Sequence, residues 1–349
     1  MTDAMLNERS ADRLVRENPT FANGKSRTRR SALRATLARQ RAVAALAALA
    51  NCKLCAHECG VDRLAGTTGL CHAGAETRIF SAQVEVSDEL ELIPTFAIAF
   101  SGCDLRCDFC ITGGPSWNPR LGEALSVETI VARARTALAQ GARTVMLLGG
   151  EPTVHLHTAL EIVAALPDDA KLVWKTNAHG SAQARELLEG MFDVWLADYK
   201  FGNDACAQRL AKVSEYNRVV RENLLWFAGK SKRSASDGFL TTKEQRNEEK
   251  LGSFVPSLFN PLAGPEAGAP ARGELIVRHL LMPGHVECCW RPVAEWLAEH
   301  LPGVKVNLRS GFWPAWHAAR HPELCGTVSK IESEAAWQIG RECNLNFTK

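Results

Sequence analysis

Three cysteines, Cys103, Cys107 and Cys110, stand at C-x3-C-x2-C spacing in the stretch Ser101-Gly102-Cys103-Asp104-Leu105-Arg106-Cys107-Asp108-Phe109-Cys110. They follow the apolar, β-like run Thr95–Phe100, which places them on a loop leaving a buried strand. Three thiolates at this spacing can each take one iron of a cubane cluster, whereas a [4Fe–4S] cluster held only by cysteine wants four. A lone cysteine from elsewhere in the chain is one way to complete the set. Otherwise one iron stays open to a non-protein ligand, and an open coordination position is how a metal site does chemistry. A zinc loop borrowing its fourth ligand is the competing reading.

A second constellation lies in Asn51–Ala75. Cys52, Cys55, Cys59 and Cys71 form C-x2-C-x3-C-x11-C, and Gly60, Gly66 and Gly69 let the chain double back around an ion. Zinc and an iron–sulfur cluster both suit four sulfurs, and spacing does not choose between them. His57 and His72 stand close enough in sequence to replace one ligand. The site either ties the N-terminal segment down or transfers electrons.

The elements around these motifs read as follows. A chain of 349 residues accommodates one large domain or two modest ones. A net charge of +2 argues against a nucleic-acid footprint spread over the whole surface. Of twelve cysteines, seven fall in the two clusters, which points to metal binding and not to a disulfide framework. No signal peptide is visible, and the apolar run Ala42–Ala50 is too short to span a bilayer, so a cytoplasmic protein with no membrane or nucleic-acid partner is expected.

Residues 1–30 are polar and basic, including Lys25, Arg27, Arg29 and Arg30, and read as a disordered arm. Residues 31–50 read as an amphipathic helix with Ser31 as N-cap and Leu33, Leu37, Val43, Leu46 and Leu49 as its stripe, packing on the cysteine module. Short strands are expected over Arg78–Val86 and Leu90–Pro94. A β–α rhythm follows, with strands Thr95–Phe100, Thr144–Leu148, Lys171–Trp174, Val194–Ala197, Glu274–His279 and Val304–Asn307. The intervening helices are expected over Val127–Gln140, His157–Leu166, Ala182–Glu189, Asn203–Phe227 with a break near Ser214, and Arg291–His300, with Glu332–Glu342 closing the chain.

This alternation predicts an α/β fold, a partial (β/α)6 TIM-like barrel with a small N-terminal cysteine-rich metal module. The expected domains are the arm at 1–30, a helix and four-cysteine module at 31–94, and the barrel at 95–349. Residues 229–272, rich in Lys, Ser, Gly and Pro, read as a long insertion, disordered or docking a partner through Phe254–Phe259. The polar motifs fall at the C-terminal ends of the strands, the edge that carries the active site in parallel barrels.

Four such motifs follow the cysteine loop. Gly149-Gly150-Glu151-Pro152 offers close backbone approach and an acceptor for an ammonium. Thr176 and Asn177 end the third strand. Asp198-Tyr199-Lys200 puts a lysine where it can meet a carboxylate, oriented by Asp198. Arg278 and His279 alternate in facing, so one of the two points inward. Cys206, Cys288, Cys289, Cys325 and Cys343 show no metal spacing and read as small buried hydrophobes, with Cys288-Cys289 a lesser redox candidate. Trp313 and Trp316 read as packing residues or as walls of a pocket.

Cys103, Cys107 and Cys110, with Phe109 before the third, resemble the signature of the radical S-adenosylmethionine (SAM) enzymes. The resemblance implies a [4Fe–4S] cluster whose open iron is chelated by SAM. Reductive cleavage then gives methionine and a 5′-deoxyadenosyl radical that abstracts hydrogen from the substrate. Gly149, Gly150 and Glu151 resemble the segment that binds the SAM amino group. Thr176 and Asn177 resemble positions near its ribose and carboxylate. Asp198 and Lys200 resemble the D-x-K element of pyruvate formate-lyase-activase-like members, and Arg278-His279-Leu280 with Pro283-Gly284 resembles their strand-five segment, with His279 expected on SAM and Arg278 on a carboxylate or substrate group.

The order of motifs from Leu49 to about Leu324 is closest to the PflX-like subgroup. It implies a glycyl-radical-activase-like oxidoreductase with an electron donor such as flavodoxin or ferredoxin, acting on a protein, peptide or small molecule. The chain departs from the pattern at Lys175, where an acidic residue is usual, in the 229–272 insertion, and at Ser310–Trp313, which replaces a tyrosine-containing segment. The rival reading is a non-catalytic iron–sulfur or zinc protein serving as electron carrier or scaffold.

Overall fold

Eight strands form one unclosed sheet in the computed structural model of the chain, which describes residues 19–87, 89–229 and 273–348, with side chains from residue 33 onward. The strands lie side by side in chain order: β1 (Ile79–Glu85), β2 (Thr95–Phe100), β3 (Thr144–Gly149), β4 (Leu172–Thr176), β5 (Val194–Asp198), β6 (Glu274–Leu280), β7 (Lys305–Arg309) and β8 (Asn346–Phe347). β1 runs antiparallel to β2, and every later pairing is parallel.

Parallel neighbours need crossovers, and helices supply them. The sequence marks where these begin. Ser126 caps α3 (Val127–Ala139), Ser181 caps α5 (Ala182–Leu188) and Asn203 caps α6 (Asp204–Ala211), each through a side-chain oxygen that accepts a backbone N–H of the first turn. A short turn, α2 (Gly114–Trp117), follows the cysteine loop, and α4 (Leu156–Ala165) follows the glycine motif. The segment Asn203–Phe227, expected to be helical with a break near Ser214, is two helices, α6 and α7 (Tyr216–Phe227), and Lys212, with a left-handed φ of 61°, ends α6. α8 (Arg291–His300) leads to β7, and α9 (Lys330–Glu342) opens with a Ser329/Glu332 capping box.

Alternation along the strands makes two apolar layers. Leu92, Met146, Val173, Val194, Leu196 and Ile276 pack together on the inner face. The opposite face, with Val145, Leu147, Trp174, Ala197 and Val277, joins the helices in the main core. That core also takes in Ala38, Ala42, Ala45 and Leu49 from the N-terminal helix α1 (Pro19–Ala47) and the turn after it.

Several expectations need correction. Residues 19–30 continue α1 instead of forming a loose arm: Pro19 starts the helix, and arginine, lysine and alanine sustain it. Its buried stripe is mostly alanine: of the expected residues, Leu49 is buried and Leu37 packs against the core, whereas Leu33, Val43 and Leu46 are exposed. Val43 is 71% exposed while Ala45 is fully covered. The small side chains let α1 lie on α4, and Arg34 and Arg41 reach Asp193 and the backbone of residues 187 and 189. Leu90–Pro94 is a turn, not a strand, and it plugs the inner face with Leu92. β8 was not expected. The 230–272 part of the insertion, with its Phe254–Phe259 patch, lies outside the described residues. Among those described, no helix is long and apolar enough to cross a membrane.

The alanine face yields a test. Ala45→Leu would overpack the α1–α4 contact and is expected to cost about 1–3 kcal/mol in chemical denaturation. Val43→Ala, on the exposed side, is expected to stay within about 0.5 kcal/mol of the parent. Equal midpoints for the two variants would contradict the packing.

Candidate active site

The cysteine loop starts where β2 ends and lies directly against the exit of β3. Gly150 donates to the Phe100 carbonyl at 2.8 Å, and Glu151 to the Gly102 carbonyl at 2.9 Å. A Cβ on Gly149 would stand 2.2 Å from the Phe100 oxygen, and one on Gly150 would stand 2.1 Å from the Gly102 oxygen. The glycines therefore admit the chain's own backbone, where a ligand's approach was expected.

Within the loop, Cys103 and Cys107 are buried and Cys110 is partly exposed. The Cys103 sulfur receives the Leu105 N–H at 3.4 Å and faces Asn177 Nδ2 at 3.7 Å. Burial, with Asp104 beside it, pushes the Cys103 thiol well up, and burial raises Cys107 to about 12 against the opposing pull of Lys200. A metal bound at this loop would have to offset the cost of deprotonating these buried thiols. Asp108 pins the loop, accepting from Lys212 Nζ at 2.9 Å and facing His321 Nε2 at 2.7 Å. Phe109 stands between Phe201 and Phe312, with ring centroids at 6.0 and 6.3 Å.

Two buried carboxylates knit the strand ends together. Asp104 accepts from Asn177 Nδ2 at 2.7 Å and pairs with His179 Nδ1 at 2.8 Å. Burial pushes its carboxyl up, but the His179 and Asn177 hydrogen bonds outweigh that and hold it below the usual carboxylate range. Glu151 accepts from both the backbone and hydroxyl of Thr153, from the Thr176 hydroxyl at 2.9 Å and from Asn177 N–H at 2.7 Å. Burial and the nearby Asp104 charge raise it to about 7 despite those donors. With four protein donors on two oxygens, Glu151 fastens β3 to β4, and Thr176 and Asn177 are drawn into the same knot.

The later strand ends separate two expected partners. Asp198 pairs with Lys200 and lies 3.7 Å from Arg278, which reaches Glu89 at 3.2 Å. These groups share the inner face with Ile276 and Leu196. Register pairs Asp198 with Arg278 and Leu196 with Ile276. His279 points the other way. It packs against Trp290 at 5.0 Å between centroids, and its Nδ1 donates to the Tyr199 carbonyl at 2.7 Å. Strand alternation thus puts Arg278, not His279, toward the interior.

The N-terminal module docks on this edge. Ala56 N–H donates to the His179 carbonyl at 2.9 Å, and Ser181 N–H to the Leu54 carbonyl at 3.1 Å. His57 Nε2 donates to the Asp104 carbonyl at 3.0 Å, and Arg106 reaches the Leu70 carbonyl. Cys52 and Cys71 are buried, Cys55 partly so and Cys59 exposed. Buried Arg63 donates to the Gly74 and Val154 carbonyls and faces the Cys52 sulfur at 3.6 Å. His179 and Asp104 did not stand out in the sequence. Asp104 inside the cysteine loop was the available signal, while His179 carries none until the fold brings it in.

A three-cysteine loop after the first strand of the parallel run in an unclosed α/β sheet defines the class, a partial TIM-like barrel. Residues 98–234 match the family described as the radical SAM superfamily. Over 308 residues the chain is 25% identical to an uncharacterized protein of Methanocaldococcus jannaschii, covering 85% of this chain and 76% of that one. Over 261 residues it is 23% identical to a GTP 3′,8-cyclase of Pseudomonas syringae pv. syringae, covering 66% and 72%. Streptococcus suis SuiB, solved bound to S-adenosylmethionine, superposes with a TM-score of 0.44 at 15% identity, over 70% of this chain and 47%, just under half, of its own.

Two predictions follow from the geometry. Gly150→Ala must displace the Gly102 carbonyl and is expected to cost about 1–3 kcal/mol and to lower iron retention, read by denaturation and iron analysis. The second concerns acid. Burial holds His155 at about 3 and His157 and His279 at about 4, below the ordinary value of 6.5. Between those values and 6.5 the unfolded chain binds more protons, so stability falls as pH falls. Glu151, raised, acts in the opposite direction between 4.5 and about 7, one group against three. Denaturation midpoints should drop on acidification from pH 6.5 toward 4, and His279→Asn should flatten the slope by up to ~1.4 kcal/mol per pH unit. An unchanged slope would contradict the buried neutral histidine.

Proposed function

We propose that the chain reductively cleaves SAM and directs the resulting radical to a C–H bond of a peptide or protein substrate. The loop of buried Cys103 and Cys107 with half-buried Cys110, three sulfurs and no fourth cysteine in that stretch, is the observation that carries this reading. A [4Fe–4S] cluster with SAM on its open iron supplies, when bound, the one-electron cleavage that yields a 5′-deoxyadenosyl radical.

The chain's own residues do the rest. Cys103, Cys107 and Cys110 hold the irons, and the Asn177 amide orients Cys103. Gly149, Gly150 and Glu151 set the β3 exit, whose backbone accepts the SAM ammonium. Lys200, close enough to Cys107 to pull on its charge and positioned by Asp198, offers its ammonium to a carboxylate. Arg278, facing inward from β6, meets a carboxylate of SAM or of substrate. His279 holds the Tyr199 backbone from behind, a positioning residue. Phe109, Phe201 and Phe312 form an apolar wall that excludes water. Cys52, Cys55, Cys59 and Cys71 hold a second metal, zinc or iron–sulfur. Their docking on the Asp104 loop supports a relay of electrons from a flavodoxin- or ferredoxin-like donor.

Exposed apolar residues beside the cluster loop favour a peptide segment as substrate. Ile111 is 83% exposed one residue after Cys110, and Leu121 and Trp316 flank the Gly113-Gly114 turn that follows. A glycyl-radical enzyme is one such substrate, in keeping with the activase-like, PflX-like pattern. A small molecule is the second reading, favoured by the similarity to a GTP 3′,8-cyclase.

Anaerobic reconstitution followed by dithionite and SAM tests the chemistry. Chromatography is expected to show 5′-deoxyadenosine from the parent and only background from Cys107→Ala, which keeps its N-terminal metal. A fully loaded parent that makes no 5′-deoxyadenosine would leave the non-catalytic iron–sulfur or zinc protein as the better account.

A further inference from the structure

Four side chains outside the cluster site converge on one point. They are Cys206 on α6, His285 in the loop after β6, and the adjacent Cys288 and Cys289 in the turn before α8. Their ligand atoms all lie within 4.8 Å of one another. The His285 Nδ1 stands 3.6 Å from the Cys206 sulfur, 3.3 Å from Cys288 and 3.4 Å from Cys289. The sulfur of Cys288 is 3.9 Å from that of Cys206 and 3.9 Å from that of Cys289.

These separations match one tetrahedral ion. With Zn–S bonds of about 2.3 Å and a Zn–N bond of about 2.0–2.1 Å, tetrahedral angles put sulfurs about 3.8 Å apart and nitrogen about 3.5 Å from sulfur. A cubane would instead spread its cysteine sulfurs over separate irons. Cys206, His285 and Cys289 are buried and Cys288 is partly exposed. Three thiols aimed at one imidazole nitrogen gain little as a purely apolar packing arrangement.

The backbone is shaped to make this meeting possible. Residues Val286–Trp290 form a π-helical turn, with the N–H groups of both Cys289 and Trp290 directed at the His285 carbonyl at 3.1 Å. The widened turn lets two neighbouring cysteines reach the same point as His285, and such π-turns are frequent at functional sites. Asn203 braces the opposite side. Its Oδ1 accepts the Cys206 N–H at 2.8 Å, and its Nδ2 donates to the Cys288 carbonyl at 2.6 Å. The outer ring nitrogen of His285 faces Glu323 at 3.9 Å, the carboxylate–histidine arrangement that orients metal-bound imidazoles. Gly202 lies so close that a Cβ there would stand 2.2 Å from the Cys289 carbonyl oxygen.

We propose that Cys206, His285, Cys288 and Cys289 bind one zinc ion in a closed, structural Cys3His site. Four protein ligands leave no open position, so the ion supports the fold and does not activate a substrate. It ties the loop after β5, which carries Lys200, to the loop after β6, which follows Arg278. The ion thereby fixes two groups of the inner edge from outside it. The motif escaped the sequence because Cys206 is far from His285 along the chain, and H-x2-C-C is intelligible only on a π-turn.

Two measurements on the full-length chain test this. Elemental analysis should show one zinc equivalent fewer in Cys206→Ser and in Cys288→Ser than in the parent. Cys325→Ser, outside the four-residue group, and His285→Cys, which supplies a fourth thiolate in place of the imidazole, should keep it. Equal zinc in the parent and Cys288→Ser, or a lost equivalent of iron instead of zinc, would overturn the proposal. Should the variants fail to fold, alkylation of the native parent decides. Iodoacetamide should spare Cys206, Cys288 and Cys289 until a strong chelator strips the zinc. Immediate alkylation of Cys288 in zinc-replete protein, or recovery of Cys288 in a disulfide, would refute it.

Discussion

The close approach of two backbone segments governs the active edge. Where β3 leaves the sheet, Gly149 and Gly150 lie on Phe100 and Gly102 at distances that exclude any side chain. That contact sets the height of the cysteine loop above the strands. It also brings Glu151 to the end of β4, where Thr176 and Asn177 donate to it. Asn177 in turn reaches Asp104 and the Cys103 sulfur. A shift of the β3 exit would therefore be felt first at the cysteines.

Two buried carboxylates make that edge rigid by different routes. Asp104 is held ionised by His179 and Asn177, while Glu151 is pushed toward protonation by burial and by Asp104 itself. Placing both in one network would be costly if both were charged and unpaired, and the donors around each remove that cost. The same Asp104 backbone receives His57, so the N-terminal cysteine module is fastened to the loop it neighbours. Across the inner face, Asp198, Lys200, Arg278 and Glu89 alternate in sign, which lets cations stand in the interior without a large net field.

Much of this was legible in the residues. Strands β2 to β7 are short apolar runs bounded by turn residues, and their ends carry the glycines, Asn177 and Lys200 that chemistry would use. What was not legible depended on packing. Alternation says that Arg278 and His279 face opposite ways, but only the sheet's curvature and the position of Trp290 decide which is inside. Leucines on α1 looked like its core stripe, yet close contact with α4 selects alanine. Glycines at 149 and 150 read as a ligand cradle, and their nearest neighbour is the chain's own backbone. The cluster at Cys206 and His285 joins residues from two crossovers, and no local spacing reports it.

The central claim is that three cysteines leave one iron for SAM. The most direct measurement is electron–nuclear double resonance on the reduced, reconstituted full-length chain with SAM carrying ¹⁷O in its carboxylate or ¹⁵N in its amino group. The account predicts hyperfine coupling from the cluster to both labels in the parent, and no such signal in Cys107→Ala. A reduced cluster in the parent that shows no coupling to either label with SAM present in excess would contradict it.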